Sequence, residues 1–476
     1  MGVDKFFENK LVSNLDFDPT EDQKHLFSLL SEFVTLNDNS DIMVVTGYAG
    51  TGKTTAIAAF VKTLKQFQYK YVLLAPTGRS AKVLSGFTGE KAFTIHKHIY
   101  RQKAFNSALG QFVLDINKAR DTFYIVDEAS LITIDGSSGS AFGSGDLLDD
   151  LIRYFRSNTG NNLILVGDRG QLPPIGMTAS PALDLDYLSE YGEIMSAGLS
   201  QVVRQASESG ILYNATKIRK TVTKYQDSLA QCPVPKLEVD RFPDIERISG
   251  ADLIEALSDA YDKYGNDNVV VLCRSNKRAN RYNQGIRNSV LFREEKLNKG
   301  DKLMVVKNCY QFLEEMEDKS FFIANGDVAE LQKISHYEER YGFTFAQARL
   351  SFPDYNDVEI EAKIVLDTLD SESASLTAEQ QKAIFDGVYE DYADIKTKKK
   401  RFEAVREDKY FNALQIKYAA AITCHKSQGG AWPCVFIDNP FWGEDIQTED
   451  LKWLYTAITR ASEKVFLVNF RPEFFK

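Results

Sequence analysis

Three observations predict an α/β protein with two parallel sheets. Short apolar runs recur with helix-forming stretches between them. A glycine-rich loop joins one such run to a helix. The runs also fall into an early and a late set, parted by a long stretch of different pattern. The early set is Ile42-Met43-Val44-Val45, Tyr71-Val72-Leu73-Leu74, Phe123-Tyr124-Ile125-Val126 and Leu163-Ile164-Leu165-Val166. The late set is Val269-Val270-Val271-Leu272, Val435-Phe436-Ile437 and Val465-Phe466-Leu467-Val468. Runs apolar at every position suit strands covered by helices on both faces, as in parallel sheets. The first sheet is expected to end near Val203.

The first loop carries the chemistry. Gly47-Tyr48-Ala49-Gly50-Thr51-Gly52-Lys53-Thr54-Thr55 fits G-x-x-x-x-G-K-[ST], between a strand-like run and the helix-forming Ala56 to Lys65. Gly47, Gly50 and Gly52 let the backbone turn so that amide N–H groups face phosphate oxygens, and the helix start adds its positive end. Lys53 is placed to reach the β- and γ-phosphates and Thr54 to hold Mg²⁺.

Asp127-Glu128 follows the third early run, where a strand's carboxyl end faces the ligand crevice of an open α/β sheet. Asp127 is expected on the metal and Glu128 on the attacking water. Gly167-Asp168-Arg169-Gly170-Gln171-Leu172-Pro173-Pro174 follows the fourth run, and there Gln171 offers a neutral amide to the γ-phosphate. Arg204 and Arg460 are the candidates to meet charge on the departing phosphate, since a planar guanidinium can do so at two points.

Between the two parts of the late set, Asp301 to Ile334 alternates in the β manner around the turn signal Asn325-Gly326-Asp327. Leu376 to Leu414 reads as charged helix, with Ser375 as cap and a basic run from Lys396 to Arg401. That run is expected to be a solvated helix face, a strand or partner contact being the minor alternative. Ser137 to Gly145 reads as a surface loop, and no internal repeat stands out.

Composition sets the outer limits. The chain has 476 residues, 43% hydrophobic and 26% charged, with net charge −10. That charge argues against bulk coating of nucleic acid but leaves room for a local basic channel. No apolar run approaches the ~18 residues of a membrane span. No signal-peptide core follows Met1, and Phe6 stands where myristoylation wants Ser or Thr, so a cytoplasmic protein is expected. The five cysteines form no C-x-x-C pair, which suits reduced thiols better than a disulfide framework or zinc site.

With these motifs in this order, the chain resembles superfamily 1 DNA helicases, most closely the RecD- and Dda-type branch, from Thr20 to Val468. The carrying segments are the phosphate loop, Val126-Asp127-Glu128-Ala129-Ser130, Gly167 to Pro174, Cys424-His425-Lys426-Ser427-Gln428-Gly429 and Tyr455-Thr456-Ala457-Ile458-Thr459-Arg460-Ala461. The resemblance implies two RecA-like domains facing across a nucleotide cleft: 1–205 with a short strand-separating pin near 97–120, and 206–302 with 415–476. It implies an insertion at 303–414 as a small Src-homology-like β-barrel with a helical extension.

It further implies that Gln23 reads adenine and that Arg204 and Arg460 approach the phosphates from either side. Pro76, Thr77, Thr94, His96, Asn276, Thr423, His425 and Lys426 would lie near the DNA, with Gln428 in the linking motif. For Thr94, His96 and Asn276 a helix-start role stands beside this one, and for His425 simple packing. After Gly429, many relatives carry Ser-Glu before an aromatic, the acid contacting the nucleotide ribose; here Gly430-Ala431-Trp432 stands, so loose nucleotide discrimination is expected.

The activity implied is ATP- and Mg²⁺-dependent unwinding of DNA, with 5′-to-3′ travel on single strands and at single/double-strand junctions, in replication, recombination or repair. The alternatives are an ATP-gated single-strand-binding module or a motor subunit of a nuclease complex; a small-molecule kinase fits neither the two arginine motifs nor the length.

Overall fold

The structure, a computed structural model, describes residues 3–35, 41–102, 112–134, 142–202, 208–225, 231–309, 323–355, 357–441, 443 and 445–476. The first half lays down strands β1 (Ile42–Gly47), β2 (Lys70–Ala75) and β3 (Ala92–Thr94). A short pair follows, β4 (Tyr100–Gln102) and β5 (Phe112–Leu114), then β6 (Thr122–Val126), β7 (Asn162–Gly167) and β8 (Ile194–Leu199). Six of these form one parallel sheet in the order β3-β2-β6-β7-β1-β8.

The all-apolar runs are explained by period-2 geometry. Along β1, Ile42 and Val44 point into one core with Tyr124, Val126, Leu163 and Leu165. Met43 and Val45 point into the opposite core with Phe123, Ile125, Ile164 and Val166. Both faces are covered, which selects apolar residues through the middle of these strands.

The second half repeats the plan with β9 (Ile245–Ile248) and β10 (Val269–Cys273), then interrupts it with β11 (Lys302–Val305), β12 (Val328–Arg340), β13 (Phe343–Phe352), β14 (Val358–Val365) and β15 (Leu414–Tyr418). It resumes with β16 (Ala421–Thr423), β17 (Trp432–Asp438) and β18 (Ala461–Val468). The second sheet is parallel in the order β16-β10-β17-β18-β9, and β11 to β15 close into a five-stranded barrel. The α/β class with two RecA-like sheets and an inserted barrel therefore stands.

The barrel takes in Lys302 at one end and Leu414–Tyr418 at the other, so we propose an insertion bounded near 302 and 418. The single charged helix read over 376–414 is instead two helices, Ala378–Asp391 and Lys398–Glu407. The first starts at Thr377, not Ser375, because Thr377 and Gln380 form a reciprocal capping box. Strands β4 and β5 pair antiparallel within the interval expected to hold the pin, and 103–111 lies outside the described residues. So do residues 137–141 of the Ser137–Gly145 loop.

Candidate nucleotide cleft and strand groove

Because β1, β6 and β7 run parallel, their carboxyl ends share one sheet edge. The phosphate loop, Asp127-Glu128 and Gly167-to-Gln171 all start there. Gly50 and Gly52 have φ of 76° and 77°, left-handed values that glycine adopts without strain. The helix Lys53–Gln66 begins at Gly52 with no side-chain cap, which leaves its first amides to another acceptor. Gly47 leaves room for the Lys53 stem, which passes 2.7 Å from where a Cβ would lie. Lys53 Nζ meanwhile donates to the Tyr48 carbonyl at 3.1 Å. Gln23 is fully buried. Its Nε2 donates to the Thr51 carbonyl (3.3 Å), and its Oε1 accepts from Thr20 N–H (3.0 Å), which fixes it against the loop. Thr54 and Thr55 follow in the first helical turn.

Burial and the adjoining Glu128 push the Asp127 carboxyl up to about 6, and the nearby Lys53 charge partly opposes this. Glu128 sits at φ 54°, a left-handed value uncommon outside glycine, and its N–H donates to Asp127 Oδ1 at 2.9 Å. Gln171 is buried, and its Oε1 has no hydrogen-bond partner among the described residues. An unpaired buried acceptor close to the phosphate loop is a group suited to a hydrogen-bond donor, such as a bound water. The donor set also suits Mg²⁺, a hard cation: the Thr54 hydroxyl and the Asp127 carboxylate are oxygens that would complete their shell with phosphate and water.

The second half closes over this edge. Tyr455 Oη accepts from Ala49 N–H of the phosphate loop at 2.8 Å and donates to Asp168 Oδ2 at 2.7 Å. Leu172 N–H donates to Thr456 Oγ1 (2.9 Å), and Gln428 Nε2 donates to the Leu172 carbonyl (2.7 Å). Arg219, on the helix Gly210–Tyr225, lays its guanidinium 4.1 Å from the centre of the Tyr48 ring. Arg79 stacks on Trp432 at 3.8 Å. Tyr455, Thr456, Asp168 and Arg219 were given no role from sequence. Tyr455 and Asp168 lie 287 positions apart, and no local pattern reports such a pairing.

Arg460 is buried and tied to its own half, donating to the carbonyls of Thr456 and Gly430, both at 3.2 Å. Arg204 lies outside the described residues.

A groove of about 210 Å³ runs between the first half, the second half and the barrel. Pro76, Thr77, Thr94, His96, Lys426 and Gln428 line it, which brings together five residues expected near a nucleic-acid strand and one of the linking motif. Thr77 also caps the helix Gly78–Thr88 through Ser80. Thr94 caps Ile95–Ile99 by accepting from Lys97 N–H, so its helix-start role is present. His96 packs edge-on to Phe142, and burial pushes it down to about 4. Burial lowers His425 and brings Lys426 down to about 8.

Thr423 ends β16 and Asn276 opens the helix Asn276–Ser289; neither of them, nor His425, is among the groove residues. Ser275, not Asn276, caps its helix, by accepting from Arg278 N–H. Gly429 (φ 73°) packs against Thr77 and Ser80 of the opposite half, where a Cβ would lie 3.1 Å from both. Cys424 is fully buried and its thiol is pushed up to about 12, which suits a packed apolar residue rather than a nucleophile. Lys396, Lys398, Lys399 and Lys400 are exposed, whereas Arg401 stacks on Tyr389 at 3.7 Å.

The chain is similar to known proteins over most of its length. Residues 29–228 match the family described as AAA domain, and residues 418–468 match the UvrD-like helicase C-terminal domain. The ATP-dependent RecD2 DNA helicase of Deinococcus radiodurans is 30% identical over 37% of this chain and 21% of its own. The ATP-dependent DNA helicase dda of Enterobacteria phage T4 is 23% identical over 95% of this chain and 99% of its own. A crystal structure of Pif1 helicase from Bacteroides, in complex with ADP-AlF3 and single-stranded DNA, aligns at TM-score 0.46 and 16% identity, covering 97% of this chain and 95% of that one. The chain spans 39% of the length of one curated relative it matches and 21% of another.

Proposed function

We propose, for a chain that belongs to the superfamily 1 helicases of the RecD/Dda type, the activity of an ATP-dependent DNA helicase that steps along single-stranded DNA and parts duplex at a junction. The observation that carries this reading is the pairing of Asp168 and Leu172, which flank Gln171, with Tyr455, Thr456 and Gln428 of the other half. Anything bound at the phosphate loop sits at the seam of two bodies that also form the groove.

In this reading ATP phosphates take the amides of Gly50 to Thr54 and the Lys53 ammonium, which gives up the Tyr48 carbonyl. Glu128 orients and deprotonates the attacking water. Gln171 senses the γ-phosphate, while Gln23 reads the base. Thr54 and Asp127 would hold Mg²⁺, which would supply charge neutralisation between the phosphates. Arg460 leaves the Thr456 and Gly430 carbonyls, and with Arg204 meets the charge that develops on the departing phosphoryl group.

Departure of phosphate weakens the seam, and the two halves shift relative to each other. Within the groove, Thr77, Thr94 and His96 grip the strand from one half and Lys426 from the other, and Asn276, Thr423 and His425 would extend the grip beyond it. These groups suit backbone contact and stacking, so little sequence preference is expected. Travel is 5′ to 3′ in this scheme. No helix among the described residues is long and apolar enough to cross a membrane. The five buried thiols support work in the reducing cytoplasm.

Strand displacement on duplexes with a 5′ or a 3′ single-stranded tail tests the reading. The 5′-tailed duplex is expected to open with ATP. Hydrolysis without displacement of either substrate would favour the ATP-gated binding module instead.

A further inference from the structure

We propose that Tyr455 is the positioning residue that makes Gln171 competent only when the two halves are closed. This rests on the proposed ATPase reading. The hydrogen bonds form one directed path. Ala49 N–H can only donate, so it takes the Tyr455 oxygen as acceptor, and the phenolic proton goes to Asp168 Oδ2. Asp168 Oδ1 accepts from Gly170 N–H at 2.8 Å, and the Asp168 carbonyl accepts from Gln171 N–H at 3.3 Å. A phosphate-loop amide is thus linked, through a hydroxyl supplied by the opposite half, to the backbone that carries Gln171.

Three further observations agree. Tyr455 is almost wholly buried, and burial together with the Asp168 charge keeps its phenol protonated. Gly170 leaves the ring its seat, since a Cβ there would lie 3.1 Å from Tyr455 Cε1 and 3.3 Å from Tyr48 Cδ1. On the other side of Gln171, Leu172 is held by Thr456 and Gln428. Gln171 is therefore bracketed by second-half contacts that vanish together when the halves part. Its own carboxamide oxygen has no partner among the described residues and, as an acceptor, is open to a donor such as the attacking water.

Tyr455→Phe keeps the ring and removes the link. With single-stranded DNA present, kcat for ATP is expected to fall about tenfold or more, while KM and the Kd for a single-stranded oligonucleotide stay within about twofold. A residue acting through Gln171 also predicts non-additivity: in a Gln171→Ala background, Tyr455→Phe should change kcat no further. A residue that merely supports the fold would instead multiply the loss and lower Tm in both backgrounds. Should Tyr455→Phe fail to fold, Asp168→Asn breaks the same path from the first half and takes its place in the cycle. Unchanged kcat, or multiplicative losses, overturns this inference while leaving the ATPase reading intact. Absence of hydrolysis by the unaltered protein overturns both.

Discussion

In the proposed mechanism, Lys53 and Glu128 divide the nucleotide chemistry between binding and turnover. Lys53→Ala removes the cation of the phosphate loop, and steady-state hydrolysis should fall to background while single-strand binding largely survives. Glu128→Gln keeps shape and hydrogen bonding but removes the base. Nucleotide binding should persist with turnover down by about 10²–10⁴-fold; loss of binding instead would place Glu128 elsewhere in the mechanism. In the groove, Lys426 is half-buried and its ammonium is brought down to about 8. Lys426→Ala should flatten the slope of log K against log salt for single-stranded DNA by about 0.7, the share of one phosphate contact. In the unaltered protein that contact should weaken as pH rises through about 8, because the ammonium then loses its proton. A salt slope unchanged by the substitution would remove Lys426 from the strand.

Among elements, the short helix Ile95–Ile99 carries a pH signature. Burial pushes both His96 and His98 down to about 4, from an ordinary value of 6.5. The sign follows from the lowered folded-state value: between pH 6.5 and about 4 the unfolded chain binds protons that the native chain refuses. Stability is thus full above pH 6.5 and falls as the solution is acidified towards 4. Denaturant unfolding across that range should show the slope, and His96→Gln with His98→Gln should reduce it.

Elements also show what sequence can and cannot carry. The core strands were legible because Ile42–Val45 and Phe123–Val126 bury both faces, which forces apolar residues at every step. Strand β9 was missed because Ile245-Glu246-Arg247-Ile248 sits at a sheet edge with its middle exposed, and β16 because three residues give no period. The helix break between Asp391 and Lys398 carries no proline or glycine, so 376–414 read as one segment. The phosphate loop and Asp127-Glu128 were legible because their chemistry is local. The Tyr455 path was not, because it exists only once two distant halves meet.

At the scale of the whole molecule, nucleotide cleft and groove share their walls. Gln428 faces the groove while its Nε2 holds the Leu172 carbonyl, one residue past Gln171. Gly429, next in sequence, rests on the Thr77 cap that also lines the groove. The barrel joins the same contact network: Lys97 of the first half lies 3.9 Å above the Tyr355 ring, and Lys82 pairs with Asp354 at 3.3 Å. A change in how the halves meet must therefore alter both sites.

The most direct measurement is ATP hydrolysis titrated with a single-stranded oligodeoxynucleotide, paired with the Kd of that oligonucleotide in ADP and in a non-hydrolysable ATP analogue. The account predicts a rate that climbs severalfold to saturation and a Kd that differs between the two nucleotides. A flat rate together with a single Kd would contradict it.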